Sequence, residues 1–226
     1  MKPLTAGHKG GGGHMSVEST KRLSLRERRQ VSTRNDLIQS ALAVIAETGT
    51  SDLSAVTIGR ILSDSGMARA TLYAHFPGGR EELLAAAYQH VAHQFLDNAR
   101  SAIESRGGEK LNWTQRVEAF AESLLAVSAD RGIGYFYNIS GPQLLGFSKD
   151  RGVGSTGVFT AFSAELHIAT RAGKIPSDSS EPLAVLLAGS MRDAGIQVAL
   201  NPDSAAELQR AFRFLLRCLD ETHDAN

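Results

Sequence analysis

Four side chains between residues 69 and 75 have the chemistry to contact DNA. Arg69 can form two hydrogen bonds to a guanine, and Thr71 can reach a base edge or the methyl group of a thymine. Tyr73 and His75 can donate hydrogen bonds to phosphate oxygens, which fix the register of a protein on a duplex. If one short helix carries all four residues, they form a surface that reads DNA.

Basic residues gather in front of this segment. Six of them, with one acid, Glu27, lie between residues 21 and 34, whereas the whole chain balances 24 Lys and Arg against 24 Asp and Glu. Because a neutral chain does not attract polyanions over its whole surface, a DNA site has to come from such a local asymmetry. A solvated tail is the alternative, and the position of the run favours DNA. We therefore predict DNA contacts from Arg28 and Arg29, and a phosphate contact from Arg80 at the start of the following helix.

The segment that carries the four side chains has the pattern of a helix-turn-helix. Residues 57–76, TIGRILSDSGMARATLYAHF, contain two short helical stretches, with Thr57 as a candidate N-cap of the first. Gly66 can adopt the positive φ that a tight turn between them needs. The apolar residues of both stretches can form a shared core: Ile58, Ile61, Leu62, Met67 and Leu72. In such a motif the second helix enters the major groove.

Helical periodicity dominates the rest of the chain, and no segment alternates long enough to predict a strand. One helix is predicted from Gln30 to Thr48 and a long one from about Glu81 to Gly107. Five more are predicted further on, at about Trp113–Ala129, Phe136–Leu145, Gly157–Ala172, Pro182–Leu200 and Ser204–Leu219. The sequence therefore predicts an all-α protein.

Composition excludes several other classes. With 42% hydrophobic residues among 226, the chain can bury a core, and its single cysteine, Cys218, cannot form an intrachain disulfide. No run approaches the ~18 uninterrupted apolar residues of a membrane span. Residues 1–15, which contain four consecutive glycines before His14-Met15, resemble an expression tag and show no secretory pattern.

Signals of an enzyme or a cofactor site are weak. Residues 152–157 read GVGSTG, but no strand precedes this glycine pattern, so we interpret it as a flexible linker into a helix. His90 and His93 share a helical face without further metal ligands. No nucleophile motif is present. We therefore predict neither a catalytic site, a metal site nor a cofactor.

The block from Arg34 to Tyr88, with GMARATLYAHF and then FPGGREELLAAA, resembles the tetracycline-repressor (TetR) family of bacterial transcriptional regulators. The Phe-Pro-Gly-Gly linker before the fourth helix resembles that of one subset of the family. The resemblance implies an N-terminal three-helix DNA-binding domain with the helix-turn-helix, followed by a helical effector-binding and dimerisation domain. It also implies DNA contacts from Thr57, Arg69, Thr71, Tyr73, His75 and Arg80.

The C-terminal region is rich in aromatic residues. The resemblance implies that this region encloses a pocket for a small, apolar or aromatic effector, and ordinary core packing is the alternative for each ring. The candidate pocket residues are Trp113, Phe120, Phe136, Tyr137, Phe147, Phe162 and His167.

The last two predicted helices carry small and apolar residues at helical spacing. The resemblance implies that they pair with those of a second copy, because two recognition helices must reach two half-sites. The candidate interface residues are Leu186, Gly189, Leu208, Phe212, Leu215 and Leu219.

These observations predict a cytoplasmic, homodimeric DNA-binding regulator, most simply a repressor that a small effector releases from double-stranded operator DNA. An all-α small-molecule-binding protein or enzyme that uses the aromatic cavity is the alternative. The predicted divisions of the chain are a tag over residues 1–15, a flexible basic arm over 16–29, the helix-turn-helix domain over 30–78, and the effector-binding and dimerisation domain over 79–226.

Overall fold

The computed structural model describes residues 24–48, 53–145, 152–176 and 178–221. Within these ranges the regular elements are helical and no strand occurs, which confirms the predicted all-α class. The helices are α1 (Leu25–Thr48), α2 (Ile58–Ser65), α3 (Arg69–His75), α4 (Gly79–Ser105), α5 (Trp113–Ala129), α6 (Ile133–Tyr135), α7 (Gly141–Leu145), α8 (Gly152–Arg171), α9 (Ser180–Leu200) and α10 (Ala205–Glu221). A π-helical segment, Phe136–Ser140, joins α6 to α7.

The first three helices share a core of buried aliphatic side chains. α1 contributes Leu37, Ala41 and Ile45 at four-residue spacing, so that one stripe of its surface faces the core. Ile61 of α2 and Leu72 of α3 are completely buried. The other apolar residues of the motif are partly buried against the same core: Ile58, Leu62 and Met67. The predicted core of the helix-turn-helix is therefore confirmed.

Local residues set the ends of α2 in the predicted way. Thr57 is the N-cap, and its Oγ1 accepts a hydrogen bond from the backbone N–H of Arg60 at 3.3 Å. Gly66 follows the helix with φ +66°, a left-handed conformation that glycine adopts without steric cost. The chain then turns directly into α3.

α1 is longer at its front than the sequence predicts. It begins at Leu25 because Ser24 and Glu27 form a capping box. Glu27 Oε2 accepts from the backbone N–H of Ser24 at 2.7 Å, and Ser24 Oγ accepts from the N–H of Glu27 at 3.3 Å. The hydrogen bond from the backbone N–H of Ser24 to the Glu27 carboxylate also lowers the pKa of Glu27. The predicted flexible arm is therefore wrong for residues 25–29, which are helical, and its remainder, residues 16–23, lies outside the described residues.

α4 connects this unit to the rest of the protein, because it contacts α1, α5 and α8. It begins at Gly79, whose φ is +66°. A Cβ atom at Gly79 would lie 3.3 Å from Cε1 of Tyr73. Glycine at this position thus permits both the backbone conformation and the close approach of the recognition helix to the start of α4.

α8 includes the glycine pattern that the sequence analysis assigned to a flexible linker. The helix is described from Gly152, not from the predicted Gly157. A Cβ atom at Gly154 would overlap the Tyr137 hydroxyl, and one at Gly157 would overlap a methyl group of Leu96. The glycines therefore allow α8 to pack closely on α4 and the π-helical segment. The linker interpretation is wrong for the described part of this pattern.

α9 is long and apolar enough to cross a membrane by length and composition alone, with a mean hydropathy of 1.3 and 28% of its most apolar window buried. The core helix of a soluble protein can pass the same test. Arg192 and Asp193 lie exposed near the middle of this helix. Much of the apolar surface of α9 is therefore open to solvent in a single chain.

Candidate nucleic-acid interface

α3 is divided into a buried and an exposed side. Leu72 is completely buried, whereas Arg69 is exposed and Tyr73 is 41% exposed. Thr71 and His75 are half-buried at the edges of the exposed side. One buried residue thus anchors this seven-residue helix in the core, and an arginine and a tyrosine are exposed for contact with a partner. The structure thus places the four predicted DNA contacts of α3 on one short helix, as their spacing requires.

Thr57 lies exposed at the amino-terminal end of α2. Its side-chain oxygen accepts the capping hydrogen bond, and a hydroxyl that accepts still has a hydrogen to donate. The geometry therefore leaves this hydroxyl hydrogen available for the predicted DNA contact. Arg60, one turn further, forms an ion pair with Glu47 of α1 at 3.4 Å.

Arg80 occupies a different environment from the one expected for a phosphate contact. Its Nε donates to the carbonyl oxygen of Val56 at 2.7 Å, and its Nη2 donates to the carbonyl oxygen of Leu53. Glu82 Oε2 accepts from the backbone N–H of Gly78 at 2.8 Å, so a carboxylate already occupies the start of α4. Arg80 therefore uses two of its five N–H donors to hold the turn before α2, and the other three remain for the phosphate role that was predicted for it.

A basic surface groove lies between α1 and the end of α3. Its volume is about 400 Å³, and its lining residues are Leu25, Arg26, Arg29, Gln30, Thr33 and His75. It brings together Arg29 and His75, which the sequence analysis predicted separately, while Arg28 is exposed beside them. Two arginines, a histidine and a hydroxyl in one groove can bind phosphate groups. Arg26 and Thr33 were not predicted here, although helical spacing from Arg29 and Gln30 would have placed them on one face.

Arg34 contacts the end of the recognition helix. Its Nη1 donates to the carbonyl oxygen of His75 at 2.6 Å, and its Cζ lies 4.0 Å from the centroid of the Phe76 ring. In the sequence, Arg34 is only one member of the basic run between residues 21 and 34. No local sequence pattern indicates this contact, since the two residues that it joins are 41 positions apart.

The candidate pocket residues divide into three groups. Five are buried, namely Trp113, Phe120, Phe136, Tyr137 and Phe162. Phe147 lies outside the described residues. His167 is exposed on α8, where its Nδ1 lies 2.6 Å from the carbonyl oxygen of Ser163 and its Nε2 lies 4.0 Å from Glu181. Because its side chain is 52% exposed on the surface, His167 is wrong as a pocket residue.

Two of the buried aromatic residues form a cluster with α4. Tyr137 stacks on Tyr88 with ring centroids 5.0 Å apart, and it meets the edge of Phe95 at 5.6 Å. Phe136 packs against the edge of Tyr88 at 6.3 Å. Burial raises the pKa of both the Tyr88 and the Tyr137 hydroxyls, because the charged form is poorly solvated there. The cluster thus joins the π-helical segment to the helix that leads to the DNA-binding domain.

The other buried rings pack towards α10. Phe162 stacks on Phe212 with centroids 6.1 Å apart, and Trp113 Nε1 donates to Asp220 Oδ1 at 2.8 Å. Phe212 is only 7% exposed. Phe212 therefore belongs to the core of its own chain, and its prediction as an interface residue is wrong.

The remaining predicted interface residues lie on an apolar surface of α9 and α10. Leu186 is 67% exposed and Leu215 is 42% exposed, whereas Leu208 and Leu219 are partly buried. A Cβ atom at Gly189 would meet nothing within 4 Å. Further large apolar side chains of the same two helices are exposed beside them: Val185, Leu200 and Phe214.

Metal-binding groups do not assemble in the described ranges, where no three His, Cys, Asp or Glu side chains are placed to hold an ion. His90 Nε2 lies 2.8 Å from Gln39 Nε2, so this histidine bridges α4 and α1. His93 is exposed. The chemistry of the described site is therefore that of hydrogen bonding and charge on the surface of α1 and α3.

Within the described residues, a helix-turn-helix exposes an arginine and a tyrosine on its second helix, beside a basic groove. This arrangement defines a DNA-binding protein of the helix-turn-helix class.

Comparison with known proteins agrees with the resemblance seen in the sequence. The sequence model of the family described as bacterial regulatory proteins, tetR family, matches residues 37–87. These residues contain α2, α3 and the start of α4. This part of the chain is therefore similar to the tetR family of bacterial regulatory proteins, and the resemblance inferred from the sequence is confirmed. None of the curated proteins matches the chain.

Solved structures share the fold of the chain. A TetR-family transcriptional regulator from Pectobacterium atrosepticum is 18% identical with a TM-score of 0.68, over 87% of this chain and 98% of that one. FadR from Bacillus subtilis, in complex with stearoyl-CoA, is 17% identical with a TM-score of 0.64, over 83% and 97%. RolR in complex with resorcinol is 21% identical with a TM-score of 0.53, over 86% and 96%.

Proposed function

We propose that this protein is a DNA-binding transcriptional regulator that a small molecule releases from its operator. The observation that carries the proposal is the division of α3, with Leu72 completely buried and Arg69 and Tyr73 exposed, inside the domain that matches the tetR family. An exposed arginine on the second helix of the motif is suited to read a guanine in the major groove. Thr71, His75 and the groove with Arg29 add contacts that fix the register.

The protein acts on DNA as a homodimer in this proposal. A helix-turn-helix dimer reads two half-sites about one helical turn, or a multiple of it, apart. The support is the apolar surface of α9 and α10, where Leu186, Phe214 and Leu215 are exposed to solvent in a single chain. A second copy, related to the first by a two-fold axis, would cover this surface and remove it from water. The dimer would then present two recognition helices together.

A small apolar or aromatic effector binds the C-terminal region in this proposal. Stearoyl-CoA in FadR and resorcinol in RolR support a small ligand for a chain of this fold. Ser140, in the π-helical segment beside the Tyr88–Tyr137 stack, has a buried hydroxyl without a hydrogen-bond partner. π-helical segments are frequent at functional sites. The effector has to bind one conformation of the protein better than the other, because equal affinity for both shifts nothing.

A route from that region to the DNA-binding helices supports the response to an effector. The backbone of Gly132, just before α6, packs on Ala46 near the end of α1, where a Cβ atom would overlap the α1 backbone. The π-helical segment that follows packs on Tyr88 of α4. A shift of this segment would therefore act on α1 and α4 together.

The alternative is an all-α small-molecule-binding protein or enzyme. The comparisons favour a regulator over this alternative, and we propose that the chain has no catalytic function and acts in the cytoplasm, where its DNA target lies.

The experiment that tests the proposed function is selection of DNA from a random duplex pool by the purified protein, followed by affinity measurements over a range of salt. We expect a two-fold symmetric sequence to be enriched. Its log–log salt dependence should be steep, with a slope that reflects several phosphate contacts per dimer. An unenriched pool with no salt-dependent binding would contradict the proposal.

A further inference from the structure

We propose that Arg34 is a positioning residue for the recognition helix, which it holds by the carboxyl-terminal end without contacting DNA itself. The inference rests on the proposed function, since it assigns a role in operator binding to a residue outside the predicted contacts. It comes from two contacts of one guanidinium, with the carbonyl oxygen of His75 and with the ring of Phe76.

The hydrogen bond to His75 satisfies a group that the helix leaves open. The last carbonyl groups of a helix have no partner within it, and a cation near them also interacts favourably with the helix dipole. His75 is the last residue of α3, and Arg34 Nη1 lies 2.6 Å from its carbonyl oxygen. Arg34 thus acts as a carboxyl-terminal cap that comes from another helix.

The contact with Phe76 fixes the position of the Arg34 guanidinium at the end of α3. Phe76 is completely buried, and its backbone N–H donates to the carbonyl oxygen of Leu72 at 2.8 Å, which closes the last turn of α3. The Arg34 Cζ lies 4.0 Å from the ring centroid, within the range of a cation–π interaction. The guanidinium is therefore held between a buried ring and the end of the helix.

The charge of Arg34 has no acidic partner in the described ion pairs, unlike that of Arg60, which pairs with Glu47. Arg34 is also half-buried, whereas Arg28 and Arg29 on the same helix are exposed. One of its donors is already used inside the protein. These differences separate Arg34, which contacts the recognition helix, from its basic neighbours, which face solvent.

The length of α3 makes such a contact important. A helix of seven residues does not hold its own ends in water, because isolated helices shorter than ~12–15 residues are marginal. The last turn of α3 carries Tyr73 and His75, two of the predicted DNA contacts. Loss of the Arg34 cap should therefore let this turn fray and misplace both side chains relative to the duplex.

The test compares two variants. Arg34→Met keeps an apolar stem but removes the charge and the hydrogen-bond donors, and Arg28→Met makes the same change at an exposed arginine of α1. The wild-type protein and both variants are titrated with the selected operator duplex and with an unrelated duplex over a range of salt. For Arg34→Met we expect binding to both duplexes to be about tenfold weaker, because a hydrogen bond from a charged group is lost and the phosphate contacts Tyr73 and His75 are misplaced. The salt slope should stay at the wild-type value, because no charged side chain that contacts phosphate has been removed.

Arg28→Met should also weaken binding to both duplexes, but with a salt slope lower by about one, because it removes a charged phosphate contact. If Arg34→Met gives this same result, Arg34 is a phosphate contact and the proposal is wrong. Unchanged operator affinity for Arg34→Met would also overturn it. If the wild-type protein binds no duplex, the proposed function is wrong. This outcome differs from the two results for Arg34→Met that would overturn the positioning role.

Arg34→Lys provides a second variant in case Arg34→Met lowers the folded fraction. Lysine keeps the charge and can reach the carbonyl oxygen, but it lacks the planar fork that stacks on an aromatic ring. We expect it to recover part of the operator affinity at an unchanged salt slope. Amide hydrogen exchange at Phe76, whose N–H closes α3, should be faster in Arg34→Met than in Arg34→Lys or the wild-type protein. Equal exchange in all three would contradict the capping role.

Discussion

The two ends of this molecule use their functional side chains in opposite ways. Around α3 one buried leucine anchors a helix whose charged and aromatic side chains are exposed, including Arg69 and Tyr73. In the C-terminal region the aromatic side chains are themselves the core, with Phe136 and Phe162 almost or completely buried. A side chain can contact DNA only if it is left out of the core, whereas a buried aromatic side chain can respond to an effector, in the proposed function, only if the core rearranges.

The first prediction tests whether the aromatic side chains of the C-terminal region form a packed core, by removing one ring. Phe162→Ala should lower the free energy of unfolding by ~3–5 kcal/mol, because Phe162 is completely buried and stacks on Phe212. Urea unfolding monitored by circular dichroism measures this loss. Ile168→Ala on the same helix, at a side chain 39% exposed, is the control and should cost far less. A Phe162→Ala loss as small as that of the control would indicate that this ring lines a cavity and not a packed core.

The second prediction concerns the exposed side of α3. Arg69→Ala should weaken binding to the selected operator by ~1–3 kcal/mol and leave the unfolding midpoint almost unchanged. Tyr73→Ala should weaken binding to all duplexes. Gel shifts on operator and unrelated DNA separate the two effects. Arg100→Ala, on an exposed arginine of α4 that pairs with Asp97, is the matched control and should bind like the wild-type protein. Indistinguishable binding by all three variants would refute the assignment.

A third test uses pH to probe the buried tyrosines. Burial raises the pKa of the Tyr137 hydroxyl in the folded protein, so the unfolded chain loses that proton first as the pH rises above about 10. The stabilising contribution is therefore fully present below pH ~10 and is lost at higher pH, by at most ~1.4 kcal/mol per pH unit for this group. Tyr137→Phe should show a shallower decline of the unfolding free energy between pH 9 and 11. Parallel pH profiles for the two proteins would mean that Tyr137 ionises equally well in the folded state.

The smallest effect is expected at His167. Because this side chain is exposed on α8 and contacts only surface groups in the described residues, His167→Ala should change the unfolding free energy by no more than ~0.5 kcal/mol. It should also leave the affinity for any effector found by thermal-shift screening unchanged. A large loss of effector affinity would restore His167 to the pocket.

The sequence predicts the N-terminal unit better than the C-terminal one, and particular residues show why. Ile58, Ile61 and Leu62 recur at helical spacing between a capping threonine and a turn glycine, so local patterns suffice to define α2 and the start of the turn into α3. The capping box of Ser24 and Glu27 is also local, and applying that rule would have placed the start of α1 correctly.

The remaining errors concern contacts between residues that are distant in sequence. A ring such as Phe212 has the same periodicity whether it faces a partner or its own core, and only its stacking on Phe162 decides between them. The glycines of α8 resemble a loop until Tyr137 and Leu96 are seen to fill the space beside them. Arg80 and Arg34 likewise bind backbone carbonyl oxygens more than 20 positions away, which no residue pattern specifies.

The central claim is that α3 presents Arg69 to a base in the major groove. The most direct measurement changes each base pair of the selected operator in turn and compares the affinities of the wild-type protein and Arg69→Ala. We expect the variant to lose discrimination at one position in each half-site, by ~1–3 kcal/mol, and to keep it elsewhere. Identical base-preference profiles for the two proteins would contradict the claim.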